Sequence, residues 1–139
     1  MPAKKSPRIY FAAAIRGSSP KRKTYQAIIA LLKKRGSVLS EFVGQKPKIT
    51  AEPRLVKNIY NRDATLIRKA DAVVAEVSRP SLGVGYELGL AESLGKKIYC
   101  LFAGKKEKLS AMLAGNSRFK IFHYRTARDL EKIISEISL

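Results

Sequence analysis

Runs of β-branched and aromatic residues alternate in this chain with segments whose apolar residues recur at helical spacing, and this alternation restricts the fold most. Arg8 to Ala13 (RIYFAA) reads as a first strand behind Pro7, and a Gly/Ser/Pro segment follows from Gly17 to Pro20. Tyr25, Ile28, Ile29 and Leu32 recur at i, i+3, i+4 and i+7, the mark of an amphipathic helix, which Gly36 ends. Ser37 to Val43 is expected as a second strand, with a polar loop from Gly44 to Pro53. A second helix is expected from Arg54 to Lys69 and a third strand from Asp71 to Val77. After a loop from Ser78 to Gly85, a third helix is expected from Tyr86 to Leu94, stopped by Gly95. Lys97 to Phe102 reads as a fourth strand, Lys105 to Gly115 as a loop and Arg118 to Phe122 as a short fifth strand. Leu130, Ile133, Ile134 and Ile137 mark a last helix. Strands alternating with helices predict an α/β fold, a parallel sheet covered on both faces. Five strands suggest the order 2-1-3-4-5, with ligands outside the carboxyl ends of strands 1 and 3. The loops Ala14 to Pro20 and Ser78 to Gly85 occupy those ends.

With 139 residues, one domain spanning 1–139 is expected, with 1–7 as a flexible basic tail. No apolar run approaches the roughly 18 residues of a membrane span, and no apolar segment follows the charged start as a secretory signal requires. A cytoplasmic protein is the expectation. One cysteine, Cys100, and one histidine, His123, cannot form an intramolecular disulfide or supply the four ligands of a structural zinc site. Cys100, inside IYCLF, is expected as a buried strand residue. His123 has no acidic or nucleophilic neighbour in sequence and is not expected to be catalytic. Lys and Arg number 28 against 11 Asp and Glu, a net charge of +17. Such a surface attracts anions, either a phosphorylated metabolite or a nucleic acid. The basic residues are dispersed, without the interleaved aromatics of a single-strand platform, so nucleic acid is the less favoured partner.

Two carboxylates stand out. Glu87 is expected in the first turn of the third helix, where it either complements the helix dipole or is kept ionised by it as a nucleophile. Gly89 is expected to let that helix pack closely. Asp63 lies on the apolar stripe Val56, Ile59, Tyr60, Leu66, Ile67 and Ala70 of the second helix. A carboxylate facing inward is either ion-paired or holds a proton, because desolvation disfavours its charge. Two carboxylates in contrasting settings fit a nucleophile and a general acid at an anomeric carbon. Tyr10 either orients such a carboxylate or simply packs in its strand. Arg16, Ser18 and Ser19 either hold a phosphate or form a helix cap with a surface arginine. The small residues of SLGVG, Ser81 to Gly85, allow close approach of an anion to a helix start, although glycines are common in such turns.

The segments IYFAAAIRGS, ADAVVAEVSRPSLGVGYELGLA and LSAM, in that order, resemble the 2′-deoxynucleoside 5′-phosphate N-hydrolases within the nucleoside 2-deoxyribosyltransferase family. The resemblance runs from about Ile9 to Tyr124. It implies a flavodoxin-like (Rossmann-like) homodimer that hydrolyses a nucleoside monophosphate without a cofactor or metal. Glu87 would attack C1′ and form a covalent sugar intermediate, Asp63 would protonate the departing base, and Tyr10 would position the nucleophile. Ser81 would bind the 5′-phosphate with Arg16, the following loop (Gly17, Ser18, Ser19) and Ser110, the last reaching over from the neighbouring subunit. Ala13, Ala14, Ile15, Phe42, Gly83, Gly85 and Met112 complete the implied substrate contacts. Two positions depart from the family: Ala14 stands where familiar hydrolases have serine, and Phe42 where animal members have histidine. Both bear on phosphate affinity and base preference rather than on the chemistry. A deoxyribosyltransferase, a ribonucleotide hydrolase and a non-catalytic nucleotide- or nucleic-acid-binding module are the alternatives.

Overall fold

The computed structural model describes residues 5–15, 21–45 and 49–139. Five parallel strands form one sheet: β1 (Arg8–Ala13), β2 (Ser37–Val38), β3 (Ala72–Glu76), β4 (Lys97–Phe102) and β5 (Phe119–His123). Their order is β2-β1-β3-β4-β5, as expected from the strand-helix alternation. The helices are α1 (Arg22–Lys33), α2 (Pro53–Lys69), α3 (Leu82–Ser93), the short α4 (Ala111–Ala114) and α5 (Ala127–Glu136).

Side chains alternate across a strand, so each strand feeds two cores. Ile9 and Phe11 of β1, Val74 of β3 and Leu101 of β4 pack under α1 and α5. Tyr10 and Ala12 of β1, Val73 and Ala75 of β3 and Cys100 of β4 pack under α2 and α3. Cys100 is buried as expected, and burial pushes its thiol up to about 12. Thr126 and Asp129 close a capping box at the start of α5.

The expected second strand stops early. Ser37 and Val38 pair with β1, but Glu41–Gly44 is a 3-10 turn. Ser40 is the reason. Its buried hydroxyl accepts from the Phe11 amide at 2.7 Å and donates to the Phe11 carbonyl at 2.8 Å. One side chain thereby satisfies both backbone groups of β1 that a longer strand would have paired. The turn then brings Phe42 to the carboxyl end of the sheet. Of the expected tail, residues 1–4 lie outside the described residues, and the Pro7 carbonyl accepts from the Ser37 amide at 2.9 Å.

The apolar stripe of α2 divides. Ala64 and Ile67 are buried, whereas Val56, Ile59 and Tyr60 are 45, 37 and 49% exposed. The 17 residues of α2 reach about 25 Å at 1.5 Å each. The five-residue ladder of β1 and β3 spans only about 17 Å. The helix returns antiparallel to the strands, so its first half stands beyond their carboxyl ends. Glu52 caps it there, accepting from the Arg54 and Leu55 amides. This projecting half forms the wall of a cavity.

Candidate active site

The cavity opens at the carboxyl ends of β1 and β3, where the strand order reverses, and has a volume of about 1180 Å³. Tyr10 rises from its β1 floor, Ile59, Arg62 and Asp63 line it from α2, and Ser81 and Glu87 from the start of α3. Phe42 closes one side.

α3 begins four residues earlier than the glycines suggested. Ser81 is its N-cap, with the side chain accepting from the Val84 amide at 3.2 Å. Val84, Leu88 and Ala91 are buried at helical spacing, and this packing draws Gly83 and Gly85 into the helix. Two expectations change with it. Glu87 lies in the second turn, so the unpaired amides of the helix start are not what governs its charge. Gly85 does not line the cavity, and Gly83 lines it from within the helix rather than from a loop. Gly89 is not a close-packing position either: a methyl group there would touch nothing within 4 Å.

Tyr10 donates a short hydrogen bond to Oε2 of Glu87. Burial raises Glu87 to about 7, nearby Asp63 adds to the rise, and the Tyr10 hydroxyl and Arg62 pull it down. Burial and the Glu87 charge push Tyr10 far above the usual phenol range. Tyr10 therefore remains a donor, fixing one carboxylate oxygen and leaving Oε1 for other work. Asp63 is one-quarter exposed and accepts from Nε of Arg62 at 2.9 Å. Of the two readings for an inward carboxylate, the ion pair is the one seen.

The turn into α3 is anchored from the opposite face of the sheet. Glu76, the last residue of β3, is 1% exposed. It accepts from the Ser78 amide at 2.6 Å and from the Ser78 hydroxyl at 2.8 Å, and Tyr124 donates to it. The Ser78 oxygen in turn accepts from the Ala103 amide beyond β4 at 2.8 Å. These bonds fix where the chain leaves the sheet toward Ser81. Neither Glu76 nor Arg62 stands out in the sequence. Glu76 sits within an otherwise apolar strand, a signal that a buried network satisfies it.

Ala13, Ala14 and Ile15 also line the cavity. Arg16, Gly17, Ser18 and Ser19 lie outside the described residues. Ser110 and Met112 are described but do not line the cavity of their own chain. Ser110 caps α4 by accepting from the Met112 amide, and Met112 is 81% exposed. His123 lies edge-on to Phe102 and does not line the cavity either. Among the described residues no helix is long and apolar enough to cross a membrane.

An α/β sheet with an oriented, partly buried glutamate beside an aspartate at its switch point is the architecture of an enzyme acting on a small ligand. The family model for nucleoside 2-deoxyribosyltransferase matches residues 9–124, and the chain belongs to that family. Mouse 5-hydroxymethyl-dUMP N-hydrolase is 42% identical over 123 residues, covering 84% of this chain and 71% of the relative. A putative 2′-deoxynucleoside 5′-phosphate N-hydrolase 1 from Syntrophotalea carbinolica is 36% identical over 132 residues, covering 93% and 92%. Among solved structures, Clostridium botulinum CMP N-glycosidase has the same fold, with a TM-score of 0.66 at 21% identity over 94% of this chain and 99% of that one.

Proposed function

We propose that this protein hydrolyses the N-glycosidic bond of (2′-deoxy)nucleoside 5′-monophosphates, giving the free base and (2-deoxy)ribose 5-phosphate. The observation that carries the reading is the partly buried Glu87 carboxylate, oriented by Tyr10 in a cavity that also holds Asp63. A free Glu87 oxygen attacks C1′ as the bond to the base nitrogen breaks, and the electron pair leaves with the base. Asp63, which takes up a proton in the substrate complex, gives it to that base. Water then attacks C1′ of the glutamyl-sugar ester, Asp63 takes a proton from it, and Glu87 is released as a carboxylate. Proton and nucleophile are thus both restored at the end of the cycle.

The 5′-phosphate is assigned to the start of α3, where Ser81 offers a hydroxyl beside unpaired amides. The curated relatives named above act, by their names, on nucleoside monophosphates, which supports the phosphate requirement. The family also contains transferases that pass the sugar to a second base. Adding an acceptor base separates the two, since a transferase makes a new nucleoside and a hydrolase does not. The functional unit is a homodimer in which Ser110 of each chain completes the other's phosphate site. The absence of Ser110 from its own chain's cavity wall supports that arrangement.

The test is a screen of common ribo- and deoxynucleoside monophosphates for base release, run with Glu87→Gln in parallel. The parent is expected to release base, and the amide variant to lose nearly all activity. A variant within about tenfold of the parent, a barrier change of only ~1.4 kcal/mol, would remove Glu87 from the nucleophile's role.

A further inference from the structure

Arg62 places a guanidinium on the side of the cavity that the proposed reaction leaves for the base. With the phosphate at Ser81 and C1′ facing Glu87, the base extends toward Asp63, its proton donor. Arg62 and Phe42 flank Asp63 there, and all three line the cavity. The guanidinium carbon stands 3.8 Å from the centroid of the Phe42 ring. Nε donates to Asp63. Stacking on one face and the ion pair at one edge hold the plane of the group without using its outer nitrogens. Among the described residues these outer nitrogens have no hydrogen-bond partner. The field of Arg62 also reaches the reacting groups, since it draws both Glu87 and Tyr10 down.

We propose that Arg62 is a specificity-determining residue, whose outer N–H groups donate to a ring carbonyl of the departing base and so select keto bases over amino bases. The inference rests on the hydrolase reading above. A guanidinium only donates. It matches the oxygen of a uracil- or hypoxanthine-type edge, and it opposes the amino group of a cytosine- or adenine-type edge donor to donor. The benefit grows during reaction. As the C1′–N bond breaks, its electron pair enters the base and charge builds on the carbonyl oxygen, where a fixed positive donor stabilises it. Asp63 supplies the proton, and Arg62 spreads the charge before the proton arrives. Phe42 belongs to the same device, because the guanidinium sits over its ring.

The experiment compares matched pairs that differ only at that edge, dUMP against dCMP and dIMP against dAMP. kcat/KM is measured for the parent, Arg62→Gln and Arg62→Lys. The parent is expected to favour the keto member of each pair. Arg62→Gln should reduce that preference roughly ten- to hundredfold, the range for a lost hydrogen bond to a charged group. That loss of preference should fall on the keto substrates; the amino substrates lose only what the missing ion pair with Asp63 costs both members of a pair. Arg62→Lys should retain part of the preference, since it keeps the charge but not the planar fork. A merely structural Arg62 would instead lower all four substrates together. That result, or a preference left intact in Arg62→Gln, overturns the assignment. A parent that releases base from none of the four overturns the hydrolase reading itself, and the assignment falls with it.

Discussion

Near neutral pH the Glu87 carboxylate is divided between two protonation states, because burial raises it to about 7. Only the ionised form attacks C1′, so kcat/KM should fall on the acid side of about pH 7. Tyr10 donates to that carboxylate and favours its charge. Tyr10→Phe should therefore move the acid limb to higher pH as well as lower the plateau, and a pH–rate profile checks both. The same displacement has a consequence for stability. A carboxyl group raised from 4.5 to about 7 favours the fold while protonated, and that contribution disappears as pH rises through about 7. At pH 8 the buried charge costs on the order of 3 kcal/mol. Glu87→Gln should accordingly melt several degrees above the parent at pH 8 and close to it at pH 4.5. Thermal melts at the two pH values decide this. A gap that is equal at both would mean that the charge of Glu87 does not oppose the fold.

At the start of α3 a single residue carries two roles. Ser81 accepts from the Val84 amide, and in the proposed function it also receives the phosphate. Ser81→Ala should lower stability by about 1 kcal/mol through loss of the cap. It should also raise KM for monophosphates more than for the matching nucleosides, narrowing a preference the parent is expected to show. Steady-state kinetics on one nucleotide–nucleoside pair would test it, and an unchanged preference would move the phosphate elsewhere. The same region shows what the sequence conveys about elements and what it does not. β1, β3 and β4 are legible because their apolar runs are buried on both faces. α1 and α5 are legible because each shows a clean helical stripe. Gly83 and Gly85 read as loop because propensity speaks before packing, and the burial of Val84 and Leu88 then makes them helical. Ser37 to Val43 has the composition of a strand. Only the contact of Ser40 with Phe11, 29 residues earlier, shows why pairing stops. The α2 stripe has the right period but the wrong destination, since half of it lines a cavity. Tyr10, Asp63, Ser81 and Glu87 were readable as a motif and all line that cavity. Arg62 was not, because its meaning lies in a stack on Phe42, 20 residues away in sequence.

For the whole molecule, the proposed homodimer requires a chain of net charge +17 to associate with a copy of itself. Repulsion between two such chains is long-ranged and screened by salt, so their contact must be largely apolar. α3 offers such a face. Leu82, Gly85, Tyr86 and Gly89 follow one another at i, i+3, i+4 and i+7 and are all exposed, Leu82 at 97%. A methyl group at Gly85 or Gly89 would meet nothing within 4 Å, so the stripe leaves room for close approach of a second helix. Tyr60 of α2 extends the face, its hydroxyl 3.2 Å from that of Tyr86. Of the apolar residues around Ser110, Met112 is exposed, whereas Leu109 and Leu113 pack partly against their own core. The contact should therefore centre on α3 with Met112 at its edge, and added salt should tighten the dimer. Gly89→Arg should yield monomers by sedimentation, and with them lose activity, although Gly89 does not line the cavity. Complementation tests the shared site directly. Glu87→Gln and Ser110→Arg are each expected to be inactive as homodimers. If Ser110 serves the partner's site, a mixed dimer gathers both lesions into one site and leaves the other whole. Random exchange makes half of the dimers mixed, each with one working site, so activity should return to about a quarter of the parent's. If Ser110 instead served its own chain, each site of the mixed dimer would carry one lesion and mixing would restore nothing. Exchange is followed independently by mass, so that failure to mix is not read as failure to complement. Full parental activity in a monomer would refute the shared site just as plainly.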